Sequence, residues 1–459
     1  MHIVIQRALD TSSEPSVSDI WPDVEPVQPG QTVLIKPNLV LDAHPKGGDV
    51  RCLIAQCGVM EQVLERVAAA MKGRGRVIIG DSPLQITDFD EVARITGIRE
   101  TIEVFRKRTG LDIELVDFRQ VQAVRDERGH IREWKEAPGD PAGIVTLDLR
   151  SDSLLAPIEQ DSDRFRVSNY QPEDTAGYHG PSRHRYAVAA SALEADVIIS
   201  IPKMKTHCKV GVTLSMKNFV GLVSRKQCLA HHRAGGAPRG GDEYPDGSRL
   251  KGISVRLENA IDGNPHPLLR EALKLAYRAN ERLIRTLGVN PIRDGGWHGN
   301  DTCWRMTLDL VRIALYGRRD GTMADTPQRT ILTVVDGIVA GEGEGPLEAT
   351  PVEARTLVFG DNPLWADIFT ATLMGFDYRK IPLLREGLRV GKWPIGEVSG
   401  VGRRVSEGRT DETGDEEVPE WMAATVNGQN ISLRDLAKSE MRMNFRPPMG
   451  WEGAMELGR

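Results

Sequence analysis

Residues 196–232 read DVIISIPKMKTHCKVGVTLSMKNFVGLVSRKQCLAHH, and this stretch indicates the fold more directly than any other. The β-branched run from Val197 to Ile201 predicts a buried strand that ends at Pro202. Lysines, histidines, a threonine and an asparagine follow it. An apolar strand that leads through a glycine-containing loop into a helix is typical of open α/β sheets, which bind ligands at the carboxyl ends of their strands. The stretch therefore predicts a parallel sheet with a site at one edge.

Other apolar runs bounded by turn residues predict the rest of the sheet: Thr32–Ile35, Val77–Ile79, Ile113–Val116, Ile331–Val335 and Thr356–Val358. Apolar residues at helical spacing predict helices at 59–72, 267–286 and 303–316, and Gly73 is a plausible end for the first. Strands that alternate with helices indicate an α/β fold, with a mainly parallel sheet and helices on both faces.

Composition divides the chain into a core and segments that depart from it. Residues 1–404 are expected to form the α/β core, with a β-rich or irregular insertion at about 117–190 and another at about 233–300. The second insertion opens with a glycine-rich loop, and loops of that length are usually functional or disordered. Residues 405–418 are acidic and free of aromatic residues, which predicts a linker, and 419–459 should form an ordered C-terminal extension.

Charge and hydropathy exclude several classes of protein. The net charge of −6 gives no support for binding to nucleic acid or to anionic lipid. No window of 18 uninterrupted apolar residues occurs, so we expect no membrane partner, and the N-terminus lacks a secretory pattern. We therefore expect a cytoplasmic protein with a small-molecule substrate; a homo-oligomer is compatible with this composition.

The cysteines are odd in number and scattered: Cys52, Cys57, Cys208, Cys228 and Cys303. This count argues against a disulfide framework. No CxxC motif occurs, so no iron–sulfur cluster is expected. Cys208, beside His207, is either a buried free thiol or a reactive one.

The polar cluster that follows the predicted strand from Val197 to Ile201 supplies the candidate catalytic groups, His207 and Lys217. Lys217 lies in an otherwise small and apolar segment, where its pKa could be depressed so that it acts as a base or nucleophile. It could equally extend its amine to solvent. His231 and His232 follow 14 and 15 residues later, as metal ligands or as packed side chains. Lys205 and Asn218 are candidate substrate-binding residues of the same cluster.

Residues that follow other predicted strands are further candidates for the site. Lys36 and Asn38 follow the strand that begins at Thr32, and Lys36 is either an anion ligand or a solvated lysine. VIIGDSP (77–83) and LVFGDNP (357–363) repeat one pattern, in which Asp81 and Asp361 either belong to helix caps or face the same edge of the sheet.

An acidic segment, VVDGIVAGEGEGP (334–346), places Asp336 at a strand end and Glu342 in a glycine-rich loop. Glutamates in such a loop would repel an anion, so the loop fits a cation or substrate hydroxyl groups better than a phosphate. No nucleotide-binding glycine motif occurs in the chain.

The segment GGWHGNDTCWRMTLDL (295–310) contributes Asn300, Asp301 and Arg305. Either asparagine or aspartate could cap the helix that follows, with Arg305 paired to Asp301. Alternatively, these side chains and the neighbouring tryptophans line a substrate pocket.

These segments together resemble the family called domain of unknown function 362. The resemblance is carried by IKPNLV (35–40), VIIGDSP (77–83), ADVIISIPKMKTHCKVGVTLSMKNFVGLV (195–223), NDTCWRMTLDL (300–310), VVDGIVAGEGEGP (334–346) and GDNPLWADIFTATLMGFD (360–377). Some members carry a ferredoxin-like cysteine cluster, which this chain lacks.

A more distant resemblance is to the lactate racemase family, which uses a nickel-pincer nucleotide held on a lysine. His207 and Lys217 match that family's histidine and lysine in spacing, and His232 matches its nickel ligand if one residue is deleted. The family's Gly-Gly-Arg before the lysine is Leu214-Ser215-Met216 here, and its substrate-binding Asp/Arg pair is Lys36-Pro37-Asn38. The resemblance implies a transition metal or a pincer-like cofactor near Lys217.

We therefore expect an enzyme that acts on a small polar or anionic metabolite, with racemase-like or epimerase-like transfer of a proton or hydride. His207 would serve as acid or base, and Lys217 as cofactor anchor or Schiff-base nucleophile. The alternative is a non-catalytic protein that binds an anion through its clustered lysines.

Overall fold

The computed structural model describes residues 2–9, 14–23, 25–125, 131–167, 170, 172–262, 266–396 and 422–458. The linker expected at 405–418 lies outside these residues. None of the helices in the described ranges combines the length and the apolar character needed to cross a bilayer.

The strands have the following bounds: β1 Ile3–Arg7, β2 Thr32–Pro37, β3 Arg76–Asp81, β4 Asp112–Asp117, β5 Val121–Arg125, β6 Ile131–Glu136, β7 Ile144–Asp148, β8 Phe165–Arg166, β9 His179–Gly180, β10 Arg183–Ala189, β11 Val197–Ile201, β12 Lys203–His207, β13 Gly211–Val212, β14 His232–Arg233, β15 Thr330–Glu344, β16 Glu348–Val352, β17 Thr356–Gly360, β18 Ala423–Val426 and β19 Gln429–Ser432. The central sheet has the order β19-β18-β1-β17-β15-β11-β2-β3-β4.

The helices have the following bounds: α1 Val17–Ile20, α2 Cys57–Met71, α3 Phe89–Thr96, α4 Ile98–Thr109, α5 Pro172–Ala176, α6 Ala190–Glu194, α7 Leu214–Asn218, α8 Arg249–Asp262, α9 Pro267–Thr286, α10 Cys303–Tyr316, α11 Pro363–Leu373, α12 Pro382–Arg389 and α13 Leu433–Leu436. The predicted helices correspond to α2, α9 and α10.

The sheet is mainly parallel, as the alternation of strands and helices predicted. Strands β15, β11, β2, β3 and β4 run in one direction, whereas β17 is antiparallel to both β15 and β1. Parallel strands are covered on both faces because their crossover connections lie there.

Alternate residues of each strand enter different hydrophobic cores. Val33 and Ile35 of β2 pack in a core with residues of α2 and α4. Leu34, between them, belongs to the opposite core together with residues of α10 and α11. This alternation follows from the two-residue period of a strand, and it places helices on both faces of the sheet.

The insertions and the C-terminal extension surround this core. β5 and β6 form a hairpin, and β7, β10 and β9 form a small separate sheet. α8 and α9 occupy the second insertion. The extension adds β18 beside β1 in the central sheet.

The acidic glycine segment is a strand rather than the expected loop. β15 continues to Glu344 because β12 pairs with it on one side and β16 on the other. Its glycines allow the close approach of neighbours: a Cβ added at Gly341 would lie 2.8 Å from the Cys52 carbonyl oxygen.

Candidate functional site

The carboxyl ends of β2, β3 and β11 meet at one edge of the sheet. Lys36 lies opposite Ser200 in the register of β2 and β11. The Lys36 amine lies 2.8 Å from Asp81 Oδ1 at the end of β3, and these two side chains are 1% and 5% exposed. The structure therefore joins two of the predicted residues in a buried ion pair.

Asn218, at the end of α7, holds the Lys36 side chain of this pair in place through hydrogen bonds. Its Oδ1 accepts a hydrogen bond from the Lys36 amine (2.9 Å), and its Nδ2 donates to the Lys36 carbonyl (2.9 Å) and to Ser200 Oγ (3.0 Å). Gly221 closes the arrangement, since a Cβ there would lie 2.0 Å from Asp81 Oδ1. Only glycine allows this close approach.

A second buried pair lies where β12 continues past Pro202. The Lys203 amine donates to Asp336 Oδ2 at 2.7 Å, and neither side chain is exposed. Asp336 also accepts hydrogen bonds from the backbone N–H groups of Gln56 (2.7 Å) and Ile338 (3.2 Å). Through these hydrogen bonds, the Asp336 carboxylate links β12 and β15 to the start of α2.

Other buried lysines at this edge have no carboxylate partner among the described residues. Lys205 donates to the carbonyl oxygens of Leu53 (2.6 Å) and Pro346 (3.1 Å). Lys226 donates to the carbonyl oxygen of Ser82 (2.6 Å). Burial lowers the pKa of each amine to about 7. A buried cation without a counterion either loses its proton or attracts an anion.

Lys217, in α7, is a further buried lysine near these groups. Its side chain is buried, and within the described residues it makes no hydrogen bond and no ion pair. Burial lowers its pKa. Its charge in turn lowers the pKa values of Lys205, Lys226, His207 and His231, which lie close enough for their charges to interact with it.

His207 presents a hydrogen-bond donor to this region. Its Nδ1 accepts the backbone N–H of Lys209 at 3.0 Å. Burial, followed by the charge of Lys217, holds its pKa well below the ordinary value, so the ring is neutral. A neutral imidazole that accepts at Nδ1 carries its proton on Nε2.

His231 has the opposite tautomer. Its Nδ1 lies 3.0 Å from the carbonyl oxygen of Leu229, which can only accept, so Nδ1 carries the proton. Burial and the charge of Lys217 hold its pKa well below the ordinary value. The Nε2 lone pair, which has no partner among the described residues, is therefore available to bind a metal.

His232 belongs to a different neighbourhood. Its charged neighbours are Lys209, Asp294 and Arg166 rather than Lys217, and burial lowers its pKa to about 3. His207 and His231 thus share Lys217 as a charged neighbour, whereas His232 has a different set of charged neighbours.

Asn300, Asp301 and Arg305 have the structural roles that the sequence left open. Asn300 Oδ1 accepts from the N–H groups of Thr302 (3.0 Å) and Cys303 (2.9 Å) at the start of α10. Arg305 pairs with Asp301 at 3.1 Å.

Glu342 and Asp361 lie away from the lysine cluster. Glu342 Oε2 accepts the backbone N–H of Arg446 at 2.9 Å and so anchors the C-terminal extension. Asp361 follows β17, which runs opposite to β3 because it is antiparallel to β15. Strands β15, β11 and β2 also separate β17 from β3.

The sequence pattern did not identify several residues that the structure places at this edge of the sheet. Lys226 gives no stronger pattern than any surface lysine, although it follows an apolar segment as Lys217 does. Ser82 was also missed; its buried Oγ, like the buried Oδ1 of the predicted Asn38, has no hydrogen-bond partner in the described chain. Trp451 of the extension donates to the carbonyl oxygen of Cys208 at 2.6 Å and so supports the turn after His207.

The thiol beside His207 is a poor nucleophile in this setting. Burial raises the pKa of Cys208 to about 11, so the thiol stays protonated at neutral pH.

Comparison with known proteins places this site within a recognised sequence family. The family described as Domain of unknown function (DUF362) matches residues 33–140 and 158–372. A thylakoid-associated protein, sll1697, of Synechocystis sp. is 24% identical over 371 residues, which cover 80% of this chain and 70% of that protein. The family match includes Lys36, Asp81 and the stretch from Lys203 to His232.

Proposed function

The chain belongs to the DUF362 family, and we propose that it is an enzyme that acts on a small anionic metabolite at the lysine cluster. The observation that carries the proposal is the amine of Lys217, whose side chain is only 7% exposed, has no hydrogen-bond or ion-pair partner in the described chain and lies near other buried bases. Groups with perturbed pKa values gather at functional sites because catalysis needs them there.

The substrate would supply the negative charge that the cluster lacks. Lys36 and Lys203 are matched by Asp81 and Asp336, whereas Lys205, Lys217 and Lys226 have no carboxylate partner among the described residues. A carboxylate or phosphate would favour the protonated forms of Lys205 and Lys226 and bind strongly to them in a low-dielectric setting.

The bases in the cluster suit proton transfer at a carbon that bears an oxygen or nitrogen substituent. The lowered pKa of Lys217 increases the fraction of neutral amine, which can accept a proton. His207, neutral with its proton on Nε2, would donate a hydrogen bond to the developing oxyanion. This division of roles supports a racemase-like or epimerase-like reaction.

Two groups of this pocket fit a transition metal or a covalently held cofactor. The lone pair of His231 Nε2 is a suitable nitrogen ligand, and the amine of Lys217 is a suitable attachment point. Such a group, when bound, would supply an acceptor for a hydride or an electron pair. One observation argues against a pincer-type nucleotide. The backbone N–H groups of Ser215 and Met216, just before Lys217, already donate hydrogen bonds to the buried carboxylate of Asp367.

We propose that the protein is cytoplasmic. A cytoplasmic location agrees with the scattered cysteines, all of which are free thiols. The printed name of the Synechocystis relative instead describes association with thylakoids. Fractionation of cells that express the native protein would distinguish the two.

A non-catalytic anion-binding protein is the second candidate. It is favoured by the fixed positions of Lys205 and Lys226, whose amines are held by backbone carbonyl oxygens. Held in this way, the two charges could bind an anion without taking part in chemistry.

The test is solvent exchange at carbon. A panel of 2-hydroxy, 2-oxo, amino and phosphorylated acids is screened by thermal shift, and compounds that stabilise the protein are incubated with it in D2O and followed by proton NMR. Enzymatic proton transfer predicts deuterium incorporation that Lys217→Gln abolishes and Lys209→Gln, at a neighbouring amine, retains. Binding that Lys217→Gln removes, without exchange in the wild type, would favour the second candidate.

A further inference from the structure

His232, Glu243 and Asp294 bring together side chains of the kinds that can ligate a metal ion. One ligand atom each of His232, Glu243 and Asp294 lies within 4.8 Å of the others. His232 and Glu243 are 4% and 5% exposed, whereas Asp294 is open to solvent. The group is therefore buried at His232 and Glu243 and accessible to solvent at Asp294.

The imidazole of His232 lacks the partner that a buried ring nitrogen normally has. Its Nδ1 is buried and makes no hydrogen bond within the described chain. Buried polar atoms are almost always satisfied, and an exception calls for an explanation such as an ion. This orphan nitrogen points to a ligand independently of the carboxylates beside it.

Three separate segments are held together at this point before any ligand binds. The N–H of Gly295 donates to the carbonyl oxygen of Glu243 (2.8 Å), which fixes the turn that carries Asp294. Asn300 Nδ2 donates to the carbonyl oxygens of His231 (3.0 Å) and Gly295 (2.9 Å). Asn300, which the sequence suggested as a substrate ligand, is thus a positioning residue for this group.

The Glu243 side chain is oriented as well. Its Oε2 accepts the backbone N–H of Gly235 at 2.7 Å. A carboxylate fixed through one oxygen keeps lone pairs available for a cation, as carboxylates that bind metals commonly do.

We propose that His232, Glu243 and Asp294 form a binding site for a divalent transition-metal ion, separate from the pocket around Lys217. One imidazole nitrogen and two carboxylates suit zinc, and also manganese, iron or cobalt, better than the all-oxygen surroundings that calcium prefers. Three protein ligands leave a coordination position for water or substrate. The proposal does not depend on the anionic substrate proposed above.

Zinc binding to the purified full-length protein tests this site. The protein is stripped with a chelator and titrated with zinc chloride by calorimetry, and bound metal is counted by elemental analysis after dialysis. We expect one equivalent in the wild type, with affinity more than about tenfold weaker in His232→Ala and Glu243→Gln. His298→Gln removes an exposed histidine outside the group and serves as the matched control.

Two results would overturn the assignment. One is wild-type zinc affinity in both His232→Ala and Glu243→Gln; the other is loss of zinc in Lys217→Gln, which would place the ion in the lysine cluster. If the buried substitutions prevent folding, Asp294→Asn at the exposed ligand takes their place and should weaken zinc binding in the same direction.

Discussion

The amine of Lys203 lies 2.7 Å from a carboxylate oxygen of Asp336, and both side chains are wholly buried. This pair joins β12 to β15 just beyond Pro202, where the parallel sheet would otherwise end. Together with the Lys36–Asp81 pair, it neutralises two of the buried lysines at this edge, whereas Lys205, Lys217 and Lys226 have no carboxylate partner among the described residues.

Replacement of Asp336 by asparagine should strongly destabilise the protein. The substitution leaves Lys203 buried without its counterion, and removal of one partner from a buried pair costs about 3–5 kcal/mol of unfolding free energy. Urea denaturation followed by circular dichroism measures the change. The double variant Lys203→Met/Asp336→Leu, which removes both charges, should recover most of the loss; an Asp336→Asn variant as stable as the wild type would contradict the assignment.

Gly221→Ala should disrupt the Lys36–Asp81 pair. The added Cβ would lie 2.0 Å from Asp81 Oδ1 and 2.5 Å from the Lys36 amine, so both groups must move. We expect a loss of about 1–3 kcal/mol in unfolding free energy, together with weaker binding of anions.

Gly58→Ala is the matched control for that substitution. Gly58 lies in α2, and nothing lies within 4 Å of a Cβ added there. Alanine at this position should stabilise the protein by about 0.5–1 kcal/mol, because it favours the helix. Equal effects of the two substitutions would show that the close approach at Gly221 has no energetic consequence.

The stability of the protein should rise with pH between about 7 and 10.5. Burial lowers the pKa of Lys205 from its ordinary value of 10.5 to about 7, so over this range the unfolded chain binds a proton at Lys205 that the folded chain does not. Unfolding free energies measured by urea titration in buffers without multivalent anions should therefore increase with pH. Lys205→Met should flatten the increase, and Lys107→Met, at an exposed position of α4, should leave it unchanged; a slope that Lys205→Met does not alter would be evidence against the shift.

Much of the architecture could be predicted from the spacing of apolar residues. The bounds of β11, α9 and α10 agree with the sequence because each has a clear period and a clear end. Strand direction could not be predicted in the same way. LVFGDNP resembles VIIGDSP locally, yet β17 is antiparallel, a choice made by tertiary pairing with β1 and β15.

The candidate site was predicted in part. Lys36, Asp81 and Asn218 come together because strand exits converge at one edge. The choice between His231 and His232 was beyond the sequence, since neighbouring residues of an extended segment point to opposite sides. In the structure, the charge of Lys217 lowers the pKa of His231, whereas the charged groups that act on His232 are Lys209, Asp294 and Arg166.

The ionisation of Lys217 tests the central claim most directly. Competitive labelling with isotopic acetic anhydride across a pH series, read by peptide mass spectrometry, gives the titration midpoint of this one amine in the folded protein. We expect a midpoint below the ordinary 10.5, as burial dictates, and a marked decrease in labelling at pH 7 when phosphate or a carboxylic acid substrate is added. An ordinary midpoint that is indifferent to anions would contradict the account.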